Sequence, residues 1–501
     1  MIVVGILRWI FDYRREEIQI LLSSRGIEIS TGEISNLSEE FLLRFYALHK
    51  RHIPQMKELF DKDGGSILHL DGSGEAGDPI VFTAIEGKSG ITIDSQTIPS
   101  ESKIFVKAFL EQMKAEIGTP LVVVRDMSKE IASAVSEIFP LTPQQICHYH
   151  FVCNLGKIVF RDRYASFRKA LIGTRVPAQL KTQLKALGMA EDAGAEDAII
   201  AAERKWVEIA IEYLLWPRER PSDFPFILPY VDVMDRILEV RDMVVKVSEW
   251  NCRHGTSVSA VLDTLKRLTR LEERADITAM YIQMKKIWCW FEDLRRGLAV
   301  SRELSGNGER AKPISGQATR EILQDILIKI EEEGREMGGE LQMASSQIIG
   351  NVKSHWDELS VDVKDSDGNE VEIVRTNGIE ERSHRWSRMH TRRRTGRSRT
   401  TMEMMRYGAL MAILSNLKIP VYVKEVLRDV DDLVREMQNI TTEEVDKAKR
   451  LIRAYESRPS IRIDDRSFTI LQDFVDRLKR SGNGERIAKE WLSKVSNPTP
   501  K

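Results

Sequence analysis

Ile67-Leu68-His69-Leu70-Asp71-Gly72 and Leu121-Val122-Val123-Val124-Arg125-Asp126 decide how this chain is read. In each, a short apolar run ends on an aspartate, which is how a buried strand delivers a charge to the rim of a sheet. Two more apolar runs, Ile80 to Ile85 and Ile91 to Ile98, are set off by the turn sequences Gly72-Ser73-Gly74 and Gly87-Lys88-Ser89-Gly90. With Ser66 to Asp71 they form three consecutive antiparallel strands. A helix then spans about Ser102 to Glu116, with Phe105, Phe109 and Met113 sharing a face. The strand Leu121 to Val124, a helix from Ser128 to Phe139 and a short strand near Gln145 to His148 complete the segment.

Three strands, a helix, a strand, a helix and a strand follow the order of an RNase H-like domain. In that architecture the first and fourth strands lie side by side at the sheet centre, so Asp71 and Asp126 meet. Carboxylates held close together at low dielectric repel and raise one another's pKa unless a divalent cation neutralises them. Oxygen-only ligands with open positions favour Mg²⁺ or Mn²⁺ over zinc, which prefers nitrogen and sulfur. Either aspartate alone reads as a strand-end cap or turn residue. The pair in this strand order points to a metal.

A third acid lies far downstream. After a hairpin signal, Val361 to Val363 and Val371 to Val374 around Asp367-Gly368, comes Arg375-Thr376-Asn377-Gly378-Ile379-Glu380-Glu381-Arg382-Ser383-His384-Arg385. Thr376 or Asn377 can cap the helix that starts here, and the glutamates also suit its dipole. Beyond them Arg382, Arg385, Arg388, Arg392, Arg393, Arg394, Arg397 and Arg399 follow with no acidic residue among them. One-sign density costs self-repulsion unless an anion lies against it, and phosphate is the natural anion. These arginines read as a clamp on a nucleic-acid backbone without base specificity. His384 reads either as a DNA-facing donor or as a packed helix residue.

With Cys147-His148-Tyr149-His150 just past Asp126, the chain resembles the DDE transposases of the Mutator-like and related prokaryotic insertion-sequence type. Those enzymes carry strand-borne first and second acids, a Cys-x-x-His beyond the second, and a helical insertion before the last. The likeness spans Ser66 to about Pro420, and the third-acid stretch resembles the family's Thr-Asn-Asn-x-x-Glu signature. By that register Glu381 is the catalytic acid and Arg385 its downstream arginine; Gly378, where a second Asn is common, leaves Glu380 as a rival. The resemblance implies that Asp71, Asp126 and Glu381 bind two Mg²⁺ or Mn²⁺ ions about 3.5 to 4 Å apart. It also implies cleavage of transposon ends, strand transfer into target DNA and a homodimer or larger assembly. The expected setting is the prokaryotic cytoplasm, at the nucleoid. Cys147 and His150 supply only half of a structural zinc site, so they stand as accessory residues.

The expected fold is thus an α/β RNase H-like core interrupted by a large all-α insertion, with helical segments at both ends. Its boundaries are a helix-turn-helix-like segment over 1–62, the core over 63–163 and 357–420, the insertion over 164–356 and a helical tail over 421–501. In the first segment Ser30 and Glu33 form a capping-box signature for a second helix, about Thr31 to Leu37, which would enter a major groove. Two ordinary packed helices fit the same residues. Trp206, Trp216, Trp250, Trp288 and Trp290 in the insertion read as core packing more readily than as base-stacking platforms. Ser305 to Arg310 and Ser481 to Arg486 read as similar loops, and the tip Pro498 to Lys501 as disordered.

Composition sets outer limits. A net charge of -1 over 501 residues carries no global nucleic-acid signature, so any basic surface is local. Cys147, Cys153, Cys252 and Cys289 show neither paired zinc spacing nor a disulfide-dense pattern, which suits a reducing, intracellular setting. The apolar start, Met1 to Phe11, is too short to span a bilayer, so no membrane partner is expected. Two other readings use the same residues: an RNase H-like nuclease or recombinase without strand transfer, and a transposase-derived, non-catalytic DNA-binding protein.

Overall fold

Ahead of the sheet come α1 (Ile2–Trp9), α2 (Arg15–Ser23), α3 (Thr31–Arg51) and α4 (Ile53–Lys62). The computed structural model describes residues 1–74, 78–174, 181–182, 184–185, 198–214, 224–254, 274–300, 315–365, 367–428 and 433–456. The side chains of residues 198–204, 241–244, 247, 248, 250–254, 379–383 and 451–456 are outside that description. The chain forms two units, Met1–Ala448 and Lys449–Lys501. The loop pair Ser305 to Arg310 and Ser481 to Arg486, the tip Pro498 to Lys501 and Trp216 lie outside the described residues.

The Ser30 hydroxyl caps α3 as expected, accepting the Glu33 N–H at 3.1 Å. The helix does not stop near Leu37, however, but runs on to Arg51. Phe41, Leu42, Leu43, Phe45 and Leu48 are buried, so most of α3 is core rather than a short element free to enter a groove.

The sheet contains β1 (Ile67–Ser73), β2 (Ile80–Glu86), β3 (Thr92–Ile98), β4 (Val122–Arg125) and β5 (Gln144–Ile146), in the order β3-β2-β1-β4-β5. The first three pair antiparallel, while β1–β4 and β4–β5 pair parallel. Between β3 and β5 lie α5 (Lys103–Ile117) and α6 (Lys129–Ile138). Phe109 of α5 meets Phe82 of β2 edge-on at 5.2 Å, which places α5 on the face that Phe82 shares with Gly72. The buried stripe of α5 is Val106, Phe109, Leu110, Met113 and Ile117. Phe105, expected on that stripe, is exposed instead, because its neighbour Val106 takes the inward position.

From β5 the chain enters a helical body: α7 (His148–Gly173), α8 (Ala198–Leu214), α9 (Pro229–His254), α10 (Ala275–Gly297), α11 (Gly316–Met337), α12 (Gly339–Ser354) and the short α13 (Trp356–Leu359). One apolar core runs through it from Phe151 to Leu359. The boundary expected at 163/164 falls inside α7, whose apolar row continues unbroken through Phe160, Tyr164 and Phe167. Trp290 is fully buried, and Trp206 and Trp288 pack against the same core. The side chain of Trp250 is not described.

The return to the sheet is a hairpin reduced to one bridge, Lys364 to Glu370, turning at Gly368 with φ +83°. Val361 and Ile373 press its base onto Ile67, Val122 and Val124. Then come α14 (Gly378–Thr395) and α15 (Thr401–Leu414), a 3-10 turn at Ser415–Lys418, a π turn at Tyr422–Val426, α16 (Leu433–Gln438) and α17 (Thr442–Glu456). Met404 and Ala409 of α15 pack on Val81, on the sheet face opposite α5. The tail closes onto α3 through Arg51–Glu444 at 2.5 Å and through Arg44, which donates to the Met437 and Ile440 carbonyls. Among the described residues no helix is long and apolar enough to cross a membrane.

Phe291 touches the rings of Phe160, Phe226 and Trp288 and is fully buried. Phe291→Ala is expected to cost about 3–5 kcal/mol, read as a lower denaturant midpoint.

Candidate active site

The parallel register pairs Ile67 with Val122, Leu68 with Val123 and His69 with Val124. Continued by two residues, it sets Asp71 level with Asp126. Neighbouring strands lie about 5 Å apart and matched residues of a parallel pair face the same side. Asp71 shares the face of Ile67 and His69 in β1, where Val361 and Ile373 roof Ile67, Val122 and Val124, and Asp126 follows directly after the end of β4. Asp71 is buried and Asp126 half-buried. Asp126 Oδ1 accepts the Ser128 N–H at 2.8 Å, which turns the chain into α6.

The segment with the third acid is attached to this rim at two points. Asn377, just before α14, donates from Nδ2 to the Leu70 carbonyl at 3.0 Å. Arg388, further along α14, donates to the Ser73 hydroxyl. Thus α14 lies along the end of β1. Glu380 and Glu381 are in its first turn, but their side chains lie outside the described residues, as does that of Arg382. Among the described residues no three His, Cys, Asp or Glu side chains are grouped so as to hold an ion. The oxygen donors at the rim suit a hard cation such as Mg²⁺.

Glu101, which the sequence reading did not single out, stands at the same rim. A side-chain carbon at Gly72 would collide with Glu101 Oε1, so the glycine makes room for this carboxylate. Burial first, and then the charge of Asp126, push its pKa above the ordinary glutamate value. A glutamate at the mouth of α5 carries no motif, and only the packing of that loop on β1 identifies it.

Cys147 is buried, and its sulfur accepts the Asn377 N–H at 3.1 Å. His150 lies close enough to Asp126 for that charge to oppose the lowering of its pKa, which burial dominates. Its Nδ1 is enclosed, with no hydrogen-bond partner among the described residues. His384 is a packed helix residue, buried, with its pKa pushed down to about 4 chiefly by burial.

The arginines divide. Arg385, Arg392, Arg393, Arg397 and Arg399 are exposed, and Arg388 is half-buried on Ser73. Arg394 departs from the expected clamp. It is 4% exposed, faces Asp12 at 3.4 Å and lies 4.4 Å above the Trp9 ring. Its pKa is drawn down to about 10, mostly by burial. Asp12 also binds His390, so this pair fastens the N-terminal helices to α14 rather than facing a phosphate. Helical periodicity explains why: Arg394 shares a face with the buried Thr391 and Ser387, while Arg392 and Arg393 point away.

Arg394→Ala would leave the buried Asp12 with His390 and without its guanidinium partner, and is expected to destabilise the fold by about 3–5 kcal/mol. Arg392→Ala with Arg393→Ala should leave the melting temperature nearly unchanged and reduce the salt dependence of DNA binding, measured by titration at several ionic strengths. Glu101→Gln is expected to raise the melting temperature of metal-free protein at neutral pH. An acid whose folded pKa is raised costs stability once the unfolded state ionises, so the gain should vanish as pH falls below the ordinary glutamate range.

Residues 16–195 match the family model described as Transposase, Mutator family. The match contains Asp71, Asp126 and Cys147 to His150 and ends well before Glu381. No curated protein matches the chain significantly. Over less than half of its length, then, the chain is similar to Mutator-family transposases, and that similarity supports a transposase.

Proposed function

We propose that this protein is a DDE transposase with an RNase H-like core, which cleaves transposon ends and joins them to target DNA by metal-dependent phosphoryl transfer. The observation that carries the reading is the β1–β4 register: continued two residues past His69 and Val124, it would bring Asp71 level with Asp126, beside the helix bearing Glu381. The mixed five-stranded sheet, in the order β3-β2-β1-β4-β5, supports the RNase H-like reading. Glu381 lies one helical turn, or about 6 Å of rise, beyond Asn377 at the rim.

Asp71, Asp126 and Glu381 would hold the cation, with Glu380 as the rival third acid. Bound there, Mg²⁺ or Mn²⁺ supplies Lewis-acid stabilisation of the attacking and leaving oxygens. The chain's own contribution is rigidity and placement. Strand backbones and the Ser128 N–H hold the aspartates, and the hairpin roof excludes water from the rows behind them. The exposed arginines of α14 and the segment after it hold the DNA backbone beside the acids, so the scissile phosphate is presented and not searched for. Synapsis of two ends calls for a dimer or larger assembly on DNA.

The test uses DNA carrying the element's ends, with Mg²⁺, and follows cutting and joining separately. Asp71→Asn, Asp126→Asn and Glu381→Gln are each expected to lower cleavage by about 10³-fold or more while gel-shift affinity in EDTA persists. Equal cutting by Asp71→Asn would remove the site. Cutting without joining would select the nuclease reading, and binding without either step the non-catalytic one.

A further inference from the structure

On the reading of Asp71, Asp126 and Glu381 as one site, something must set the height and register of α14 against two strands that lie more than two hundred residues away in sequence. Asn377 stands where that control is needed. It is 1% exposed, and its N–H and both polar atoms of its side chain are engaged. Its backbone N–H donates to Cys147 Sγ at 3.1 Å, Nδ2 donates to the Leu70 carbonyl at 3.0 Å, and Oδ1 faces His69 Nδ1 at 3.2 Å. The amide orientation is fixed by chemistry: the Leu70 carbonyl can only accept, so Nδ2 must face it, and His69 presents an N–H to Oδ1.

Each partner is one step from the rim. Leu70 immediately precedes Asp71. The Cys147 N–H donates to the Arg125 carbonyl at 2.7 Å, and Arg125 immediately precedes Asp126. The adjacent His148 N–H holds the Arg375 carbonyl at 2.8 Å, fixing the approach to Asn377 from the other side. One buried residue thus ties the start of α14 to β1 through its side chain and to the β4–β5 edge through its backbone N–H. The Asn377 side chain makes no capping hydrogen bond to its own helix, although its sequence position suggests one. Its bonding capacity is directed at the sheet.

We propose that Asn377 is a positioning residue for the third acid, with Cys147 as its sulfur acceptor: together they fix where the first turn of α14 sits relative to Asp71 and Asp126. Asn377 touches no reacting group in this role. Its loss should act through displacement of Glu381, and a displacement of about 1 Å at such a site costs about 10²-fold in rate.

The experiment compares wild type, Asn377→Ala, Cys147→Ala, Cys147→Ser and Asp71→Asn, each full-length. It measures cleavage kinetics on end DNA, Mn²⁺ affinity by electron paramagnetic resonance without DNA, gel shift in EDTA, and circular dichroism. Asn377→Ala is expected to lose about 10²-fold in kcat with KM changed by no more than about twofold. Its Mn²⁺ affinity should fall about tenfold while gel shift in EDTA holds. Cys147→Ala should move the same way, and Cys147→Ser, whose hydroxyl can accept the same N–H, should recover most of the loss. Wild-type kcat and Mn²⁺ affinity in Asn377→Ala overturn the proposal. If Asn377→Ala fails to fold, the cysteine pair decides, and equal behaviour of Cys147→Ala and Cys147→Ser overturns it. Failure of the underlying site reads differently: wild type then neither cuts nor binds Mn²⁺ more tightly than Asp71→Asn.

Discussion

Parallel pairing of β1 with β4 is the constraint on which the rest depends. Antiparallel neighbours β2 and β3 could be added by short turns, but a parallel partner needs a crossover, and α5 supplies it. The ladder matches His69 with Val124, so Asp71 lies two residues along β1 from the last matched pair and Asp126 two residues along the other chain, just past the end of β4. A one-residue slip would turn one of them to the other side of the sheet. The buried rows behind them, Ile67 with Val122 and Val124, make such a slip costly, since it would exchange core side chains for rim ones.

Around that pair the molecule is arranged to bring distant chain to one edge. The helical body departs from β5 and returns at α13, with its own continuous core, so it can be long without disturbing the sheet. Two ties hold the departure and return together: His148, placed between the carbonyls of Leu298 and Leu359, and Arg125, which meets Glu358. The N-terminal helices serve a similar end from the opposite direction, since Asp12 accepts Arg394 and His390 from the far part of α14. A carboxylate and a guanidinium so far out of water persist only as partners.

Much of the core was legible from local pattern. The five strands and the helices α5 and α6 fall within a residue or two of where apolar runs, glycine turns and capping residues put them. The side-by-side placement of β1 and β4 also followed from element order. What local pattern misjudged were questions of facing and extent. Spacing alone puts Phe105 inward, groups Arg394 with its exposed neighbours and ends α3 near Leu37, whereas Phe105 is exposed, Arg394 is buried and α3 runs to Arg51. In each case the deciding partner, whether Val106, Asp12 or the sheet-covering helices, competes in three dimensions and leaves no mark on the segment itself.

The sequence by itself determined which elements form and which carry acids, because backbone periodicity and burial of apolar runs are local properties. It also carried the family likeness over residues 16–195. Only the tertiary structure decided that Asn377 bonds to Leu70 and Cys147 rather than to its own helix, that Glu101 leans on Gly72, and that Arg394 faces inward. Those outcomes depend on donors and acceptors that meet across hundreds of residues, where a buried polar group must take whichever partner the packing brings to it.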